Sequence, residues 1–407
     1  MMCYHFYQSY RNQRAAKAKY TLAIKTGREK MDDVIVVGGG PIGSYTAYLL
    51  ADSGFQVSLF EEDEEVGKNV ICTGIIGKEP FERFNLPEKA ILSQIKSVTF
   101  FSPSLIALNF TFPDVIAYVV DRTVFDKELL RRAKEKGTGV QLGRHVQSIR
   151  ICEDFAELEV SGRDLKKKER AKVIVLATGG NYSLQRSVRL AEVPGFLYGA
   201  QMETEMKELT QTEIYLGRQI CPGSFAWAVP LSGLRSRIGV LVKNKGGLYL
   251  KRFVEERLRE RVREKNVKIL QKRIAYGPLK RTVKHRVLVV GEAAGQVKTT
   301  TGGGISYGLL CSEIAVEVLK KAFEKRDLSE RKLADYDRLW RKKLEGELRM
   351  GHLARRFFEK LSDKHIDKIF SFIQKNRKVA KAIEEKFDFD HHSGIISFGM
   401  NLFRKII

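Results

Sequence analysis

The chain has 407 residues, of which 43% are hydrophobic and 10% aromatic, and this composition excludes a mostly disordered protein. No apolar run approaches the ~18 residues needed to cross a bilayer, so the sequence predicts no transmembrane helix. The five cysteines form no CxxC pair, which argues against a zinc site or a cysteine-held iron–sulfur cluster and favours a reducing cytoplasm.

The net charge of +23 is concentrated in three regions of the chain. Residues 1–30 carry a net +6, residues 243–286 carry +12 and residues 331–407 carry +8. Nucleic acid, an anionic membrane surface and phosphorylated substrates all fit such regions, and so does plain surface solvation. Residues 1–30 lack a continuous apolar segment, and we interpret them as a disordered extension or an over-extended start before Met31.

The first predicted strand, residues 34–37, leads into a glycine-rich turn, an apolar helix and a second strand. The turn fits GxGxxG: Gly38 allows the tight turn, Gly40 lets a pyrophosphate approach the backbone, and Gly43 lets helix and strand pack closely. The phosphates would lie at the helix N-terminus, where free N–H groups favour anions. Glu61 ends the second strand and is placed to bind the adenosine ribose, so this unit predicts dinucleotide binding.

Three later segments extend this pattern. Asp121 can cap a helix that begins at Arg122. A buried strand at residues 173–176 ends in an Ala-Thr-Gly turn that contains Gly179. A further strand, residues 287–290, is followed by Gly291-Glu292, and then by the run Gly302-Gly303-Gly304-Ile305, which opens an apolar helix.

This order of motifs resembles the FAD-dependent oxidoreductases typified by p-hydroxybenzoate hydroxylase and glutathione reductase. The resemblance implies an α/β (α+β) fold, in which a Rossmann-like FAD-binding domain is joined to an antiparallel-sheet substrate domain and a C-terminal helical region. In that group an acid at position 292, usually aspartate, binds the ribitol or ribose region, and the glycine-rich helix start faces the flavin ring. A helix N-terminus there stabilises the negative charge of a reduced flavin. The expected FAD positions are Gly38, Gly40, Gly43, Glu61, Cys72, Gly74, Arg122, Gly179, Gly291, Glu292, Gly302, Gly303, Gly304 and Ile305.

Two further segments are similar to the geranylgeranyl reductase family. One is the loop Cys72-Thr73-Gly74, and the other is the segment with Phe225, Trp227 and Pro230 that is followed by Gly239. Val229 and Leu241 depart from the family pattern, in the region that the family assigns to the lipid. The resemblance implies saturation of carbon–carbon double bonds in geranylgeranyl chains, with Phe225, Trp227, Pro230 and Gly239 as substrate-binding positions. We prefer archaeal-type digeranylgeranylglycerophospholipids as the substrate, in membrane lipid biosynthesis.

An isolated alkene has no electron sink, so hydride delivery needs a partner proton and a way to stabilise positive charge. Phe225 and Trp227 alternate with alanines and would share one face of a strand, where their rings can stabilise a cation. Plain core packing is the alternative role for these rings. The proton donor stays open between Cys72 and Tyr215, and Cys311 is considered as a redox partner for Cys72.

The expected domains follow from these motifs. Residues 98–112 are typical of a hairpin in the substrate sheet, and residues 250–264 are typical of an amphipathic helix. The FAD-binding domain is predicted at 31–90, 115–185 and 275–330, the substrate-binding domain at 91–114 and 186–274, and a basic helical region at 331–407. That last region could hold the protein at an anionic membrane surface, close the pocket as a lid, or do both.

The alternative function is that of a flavin-dependent monooxygenase or halogenase acting on an aromatic molecule, because tryptophan halogenases carry a motif similar to Phe225–Pro230. A flavin-free prenyl-lipid carrier and a tRNA-modifying flavoprotein are weaker alternatives, and no surface pattern demands nucleic acid. No second complete GxGxxG marks a nicotinamide site, so the electron donor stays open between NAD(P)H and ferredoxin. We expect no metal site and a cytoplasmic protein held peripherally at the membrane.

Overall fold

We describe the protein from a computed structural model that covers residues 31–68, 70–163, 165–264 and 267–406, with the main chain alone at 165 and 401–406. The predicted disorder of residues 1–30 therefore concerns a segment outside the described residues. Within those ranges, no helix combines the length and the apolar character that crossing a membrane requires.

Strands with a few helices between them make up the chain to Val289, and helices dominate the end. The strands are β1 (Asp32–Val37), β2 (Val57–Phe60), β3 (Ile75–Gly77), β4 (Ile91–Ile95), β5 (Ser97–Phe101), β6 (Ala107–Thr111), β7 (Ala117–Val120), β8 (Gly139–Gln141), β9 (His145–Ile151), β10 (Ala156–Gly162), β11 (Leu165–Leu176), β12 (Phe196–Glu205), β13 (Thr212–Tyr215), β14 (Phe225–Pro230), β15 (Arg235–Val242), β16 (Leu270–Ala275), β17 (Val283–Lys284) and β18 (Val287–Val289). The helices are α1 (Pro41–Asp52), α2 (Lys78–Arg83), α3 (Arg122–Glu135), α4 (Ser183–Ser187), α5 (Gly246–Phe253), α6 (Ile305–Glu324), α7 (Glu330–Phe358), α8 (Asp363–Lys375), α9 (Arg377–Lys386) and α10 (Ser393–Ile406).

The first sheet carries the dinucleotide motifs. Its strand order is β17-β18-β11-β1-β2-β8, and β1 pairs in parallel with both β11 and β2. The long strand β11 also continues into an antiparallel pairing with β10 and, through it, β9. Both faces of this sheet are buried, with Val34 and Val36 in one apolar cluster and Ile35 and Val37 in another, so the strands read as continuous apolar runs. Tyr336 and Trp340 of α7 are fully buried in the first of these clusters.

The second sheet forms a separate layer, and its strand order is β16-β12-β15-β14-β13-β5-β6. Its pairings are antiparallel except for the parallel contact between β13 and β5. The predicted hairpin at 98–112 is confirmed, because β5 and β6 pair antiparallel. The helical prediction for the C-terminal region is also confirmed by α7 to α10.

Two expectations for the second layer need correction. Strand β4, which we placed in the substrate-binding domain, instead pairs with β7 in a small sheet with β3, where Ala117 and Val119 of β7 are buried against it. The helix expected over 250–264 ends its α-helical part at Phe253 and continues as a π-helix through Leu258. The chain then leaves the helical path because Val262 forms a β-bridge with Met206.

Helix α8 lies against the second sheet. Ile366 and Phe370 of α8 form one apolar cluster with Leu108 and Phe110 of β6. The chain then passes through α9 and returns toward the glycine-rich segment before α6. This path brings residues from the end of the chain to the centre of the molecule.

Candidate functional site

A cavity of about 710 Å³ lies where the first sheet, the second sheet and the C-terminal segment meet. Its walls include the glycine-rich turn after β1, the Cys72 loop, strands β12 to β15 and the segment before α6. The cavity therefore joins a site of dinucleotide type to an apolar space between the two sheets.

The glycine-rich turn forms the first part of the cavity wall. Gly38 has a φ of 109°, and a Cβ there would lie 2.4 Å from the carbonyl oxygen of Ala177. Gly43 packs the helix onto this turn, because its Cβ would lie 1.9 Å from the oxygen of Gly38. Above Gly40 and Gly179, in contrast, a Cβ would meet no atom within 4 Å. The turn is thus tight underneath and open toward the cavity, as a phosphate-binding turn must be.

Glu61 lies at the edge of this turn. Its carboxylate accepts hydrogen bonds from the main-chain N–H groups of Gly39 and Asp63. Burial raises the pKa of Glu61 above its usual value, and the two N–H donors partly oppose this effect. The carboxylate lines the cavity where a ribose would need an acceptor.

Glu292 provides the second acidic group of the cavity. Its Oε2 accepts a hydrogen bond from Lys272 Nζ at 2.6 Å. Its Oε1 is buried and has no hydrogen-bond partner among the described residues. Leaving a buried acceptor unpaired costs about 1–3 kcal/mol, so this oxygen suits a ligand hydroxyl such as those of a ribitol chain. The residues present therefore fit a flavin dinucleotide.

The segment between Gly291 and α6 forms the next stretch of wall. Gly291 itself packs on Ile42, since a Cβ there would lie 3.1 Å from that side chain. Gly302, Gly303 and Gly304 line the cavity, and helix α6 begins at Ile305.

Arg122 and Cys72 lie side by side in the same wall. The guanidinium of Arg122 donates to both carboxylate oxygens of Asp126, at 2.9 and 2.8 Å, and also interacts with the thiol of Cys72. Burial opposes the charge on Arg122, but the Asp126 carboxylate and Cys72 raise its pKa overall. Gly74 completes the loop and donates its N–H to Cys72 Sγ at 3.3 Å. The loop is held from β12, where the Gln201 side chain donates to the Cys72 carbonyl oxygen at 3.4 Å.

Phe225 and Trp227 form an aromatic part of the wall, with ring centroids 5.7 Å apart. Gly239 lies behind this wall rather than in it, because a Cβ there would lie 2.2 Å from the Trp227 ring. Pro230 is also absent from the wall, and its carbonyl oxygen accepts a hydrogen bond from Ser93 at 2.7 Å. Pro230 and Gly239 therefore do not line the cavity, in contrast to their expected place as substrate-binding positions.

Tyr215 does not line the cavity, which corrects its assignment as a proton donor. Strand alternation turns Thr212 and Ile214 toward the cavity and Tyr215 toward the opposite core. There its hydroxyl donates to Glu213 at 2.7 Å, and its ring stacks on Phe101. Burial and Glu213 raise the pKa of Tyr215 further above its usual value.

We expect Tyr215→Phe to leave turnover within about twofold of wild type and to lower the free energy of unfolding by about 0.5–1.5 kcal/mol, the usual worth of one hydrogen bond. Steady-state rates and urea denaturation check the two parts separately. A tenfold or larger fall in turnover at unchanged stability would restore Tyr215 as a catalytic residue.

Cys311 is likewise buried in the helical core, fully inaccessible and outside the cavity wall. Burial raises its pKa well above the usual value. Cys72 lines the cavity instead, so the two cysteines occupy different environments and we do not retain them as a redox pair.

A group of wall residues near the end of the chain carries no motif in the sequence. Phe387, Phe389, Asp390 and His392 line the cavity, as does Lys298 from the segment before α6. Only the general expectation of a C-terminal lid pointed toward them. Their charges and aromatic rings lie close to the glycines at 302–304.

Comparison with known proteins gives three findings. Residues 36–87 match a family profile described as an NAD(P)-binding Rossmann-like domain. The digeranylgeranylglycerophospholipid reductase of Methanocaldococcus jannaschii is 32% identical over 351 residues, which cover 82% of this chain and 88% of the relative. A related reductase of Methanothermobacter thermautotrophicus is 30% identical over 84% of this chain and 91% of its own.

Solved structures share the fold. A geranylgeranyl bacteriochlorophyll reductase-like protein from Thermoplasma acidophilum superposes with a TM-score of 0.79 at 22% identity, covering 86% of this chain and 92% of its own. A myxobacterial FAD-dependent chondrochloren halogenase reaches a TM-score of 0.64 at 19% identity, covering 77% and 80%. At these identities the likeness concerns the fold alone.

Proposed function

Since the chain belongs to the family of digeranylgeranylglycerophospholipid reductases, we propose that it uses bound FAD to saturate carbon–carbon double bonds of geranylgeranyl chains. The preferred substrates are archaeal-type digeranylgeranylglycerophospholipids, in membrane lipid biosynthesis. The observation that carries this proposal is the shared cavity, in which the dinucleotide-type turn and the aromatic wall of Phe225 and Trp227 face one space.

Different residues of this chain would hold the different parts of a bound FAD. Gly38, Gly40 and the N-terminus of α1 bind the phosphates, and Glu61 accepts from the adenosine ribose. Glu292 offers its unpaired Oε1 to the ribitol hydroxyls. Gly302 to Gly304 bring backbone close to the flavin ring. A reduced flavin bound there supplies the hydride that the double bond needs.

Saturation adds one hydride and one proton across the double bond, and the chain supplies the proton. We assign its donation to Cys72 Sγ, which lines the cavity and contacts Arg122. After donation, the guanidinium of Arg122 neutralises the thiolate until a solvent proton replaces the one lost. Phe225 and Trp227 bind the isoprenoid chain and stabilise positive charge on the alkene carbon by up to about 2 kcal/mol.

The test is anaerobic reoxidation of the reduced protein. The purified protein, reconstituted with FAD and reduced by dithionite, is mixed with digeranylgeranylglyceryl phosphate, and its visible spectrum and the lipid mass are followed. We expect reoxidation that requires the lipid, with two hydrogen atoms gained per bond. Reduced protein that ignores the lipid, but reacts with oxygen faster when an aromatic compound is added, would favour the monooxygenase or halogenase alternative.

The electron donor is proposed to be NAD(P)H or ferredoxin. Bleaching of the oxidised protein by NADH, NADPH or reduced ferredoxin under argon separates the candidates, because only the physiological donor should reduce the flavin within the turnover time.

We further propose that the C-terminal region contacts an anionic membrane surface, from which the lipid is taken. Helix α9 exposes Arg377 and Lys378, for which the described residues offer no ion-pair partner. Helix α10 follows the cavity-lining segment, and its apolar side chains Ile395, Ile396 and Phe398 are only half-buried. A basic helix beside an apolar one suits the headgroup region of a bilayer.

We expect Arg377→Glu/Lys378→Glu to weaken binding to vesicles of phosphatidylglycerol at least tenfold, since each basic residue near such a surface contributes about 1 kcal/mol. Cosedimentation at low and high salt measures the binding. The matched control is Lys134→Glu/Lys166→Glu, which makes the same charge change at exposed positions remote in sequence. Equal losses of vesicle binding in both variants would mean that the net charge of the protein causes the effect. They would contradict a membrane-binding surface at α9.

A further inference from the structure

Lys298 lies at the base of the glycine-rich loop that precedes α6. Its main-chain N–H donates to the Gly303 oxygen at 2.8 Å, and the Gly302 N–H donates to the Lys298 oxygen at 2.8 Å. These two bonds fix the Lys298 backbone directly beside the glycines of the cavity wall. The side chain also lines the cavity.

The ammonium group of Lys298 is held by the C-terminal segment. Nζ donates to Asp390 Oδ1 at 2.6 Å and to the Phe389 carbonyl oxygen at 2.9 Å. The rings of Phe389 and Tyr307 flank it, with centroids 5.2 and 5.6 Å from Nζ. The side chains of the pair are only 6% and 9% exposed, so both charges are almost removed from water. One of the three ammonium protons has no partner among the described residues.

Asp390 is held as firmly as Lys298. Its Oδ1 also accepts from Ser306 Oγ in the first turn of α6, at 2.8 Å, and its carbonyl oxygen accepts from Tyr307 at 3.2 Å. Its Oδ2 fits only because residue 77 is glycine, where a Cβ would lie 1.8 Å away. The pair is therefore a fixed arrangement and not a surface ion pair with freedom to reorient.

His392, Asp388 and Glu347 also interact with this pair. His392 accepts or donates a 2.7 Å hydrogen bond with Thr300 Oγ1, and burial together with Lys298 lowers the His392 pKa to about 4. Its imidazole is therefore neutral near pH 7. Asp388 and Glu347 also act on Lys298. Each of them offsets the cost of burying the Lys298 charge less than Asp390 does.

The position of the pair along the cavity connects it to the flavin ring. Glu61, Glu292 and the aromatic wall of Phe225 and Trp227 line the same cavity. Gly302 lies beside the cluster that contains this wall, because a Cβ there would lie 3.5 Å from Ile274 and 3.8 Å from Leu241, which pack with Trp227. A flavin ring that passes hydride to a lipid must lie between the dinucleotide-type turn and the aromatic wall. That position is beside the loop that carries Lys298.

We propose that Lys298 and Asp390 together set the reduction potential of the bound flavin, with Lys298 favouring the reduced form and Asp390 opposing it. The proposal rests on the proposed function, since it requires a flavin in this cavity. A reduced flavin carries negative charge, and charges of opposite sign act strongly over short distances when water is excluded. Lys298 is thereby a positioning and tuning residue for which the sequence motifs gave no signal.

The test measures the potential of the FAD-loaded protein by equilibration with a reference dye, independently of lipid turnover. The base variant is Lys298→Arg, because arginine stays charged in proteins even when its partner is removed. We expect the ratio of reduced to oxidised flavin, at fixed dye potential, to rise at least tenfold from Lys298→Arg to Lys298→Arg/Asp390→Asn. It should fall at least tenfold from that double variant to Lys298→Met/Asp390→Asn, and tenfold corresponds to about 30 mV for a two-electron couple.

A purely structural role predicts a different pattern. Loss of the Lys298–Asp390 contact would change FAD affinity and melting temperature in both double variants alike. It would not change the reduction potential in opposite directions. Equal potentials in the two double variants, measured on folded and FAD-loaded protein, would overturn the proposal. Should the double variants not fold, Ser306→Ala, which removes one donor to Asp390, must lower the reduced fraction in the charge-tuning case and leave it unchanged otherwise.

These outcomes are separate from those of the proposed function. Wild-type protein that does not take up FAD contradicts the cofactor assignment itself. Wild-type protein that reduces the lipid while its variants keep one potential contradicts only the role of the Lys298–Asp390 pair.

Discussion

Cys72→Ser is expected to slow lipid-dependent reoxidation of the reduced protein by about 10²–10⁴-fold, the usual contribution of a positioned general acid. A serine hydroxyl is nearly the same size as the thiol but is a much weaker acid, so it can fill the place beside Arg122 without releasing a proton. FAD affinity should stay within a few-fold of wild type, because the serine oxygen can accept the Gly74 N–H that Cys72 Sγ accepts. Anaerobic stopped-flow mixing with the lipid measures the rate.

The matched control for this change is Cys152→Ser. Cys152 is a partly exposed free cysteine outside the cavity wall, and it should keep the wild-type rate. Replacing the water of the assay with deuterium oxide adds a second readout, since proton donation in the rate-limiting step gives a solvent isotope effect. Full activity of Cys72→Ser would remove Cys72 as the proton donor and leave it a wall residue.

The dinucleotide half of the site could be predicted from the sequence because its parts are local. Gly38, Gly43 and Glu61 lie within one strand–helix–strand unit, and each has a steric or hydrogen-bonding role that only certain residues can fill. The geometry of such a unit is set within the unit itself, and tertiary structure determines only which elements pack around it. The later glycines follow the same logic, since Gly291 comes shortly after the end of β18 and residues 302–304 directly precede α6.

The lipid half was harder to predict because strand alternation gives two faces without saying which one is buried against the cavity. Phe225 and Trp227 share a face, as alternation requires, but alternation alone leaves Tyr215 and Ile214 equally eligible. The contact of Glu213 and Arg261 with the Tyr215 hydroxyl decides between them, and that network joins residues 48 positions apart. Gly239 shows the same limit, since its role is to make room behind Trp227.

The Lys298–Asp390 pair could not be predicted from the sequence, because only the tertiary structure brings its two members together. Its members are 92 positions apart, and Asp390 reaches the cavity only because three C-terminal helices precede it in the fold. No local pattern around Asp390 distinguishes it from a solvated acid. A lipid reductase of this kind therefore draws its cavity from the first sheet, the second sheet and the end of the chain.

Gly40→Val is expected to abolish FAD binding while leaving the fold intact. Gly40 has a φ of −62° and precedes α1, so a valine meets no backbone strain there, and its Cβ would meet no protein atom within 4 Å. The added methyl groups would instead occupy the space into which the pyrophosphate must come. We expect the dissociation constant for FAD to rise at least hundredfold, or about 2.7 kcal/mol.

Thermal unfolding with and without added FAD separates this effect from a loss of stability. Wild-type protein should gain stability with FAD by linkage, while Gly40→Val should melt at the wild-type apoprotein temperature and gain nothing. Gly346→Val is the matched control, because Gly346 is exposed on α7 with open space around it and does not line the cavity. That variant should keep the full FAD-dependent shift. A Gly40→Val protein that still binds FAD tightly would mean that the phosphates do not lie over this turn, and the order of the cofactor along the cavity would have to be reassigned.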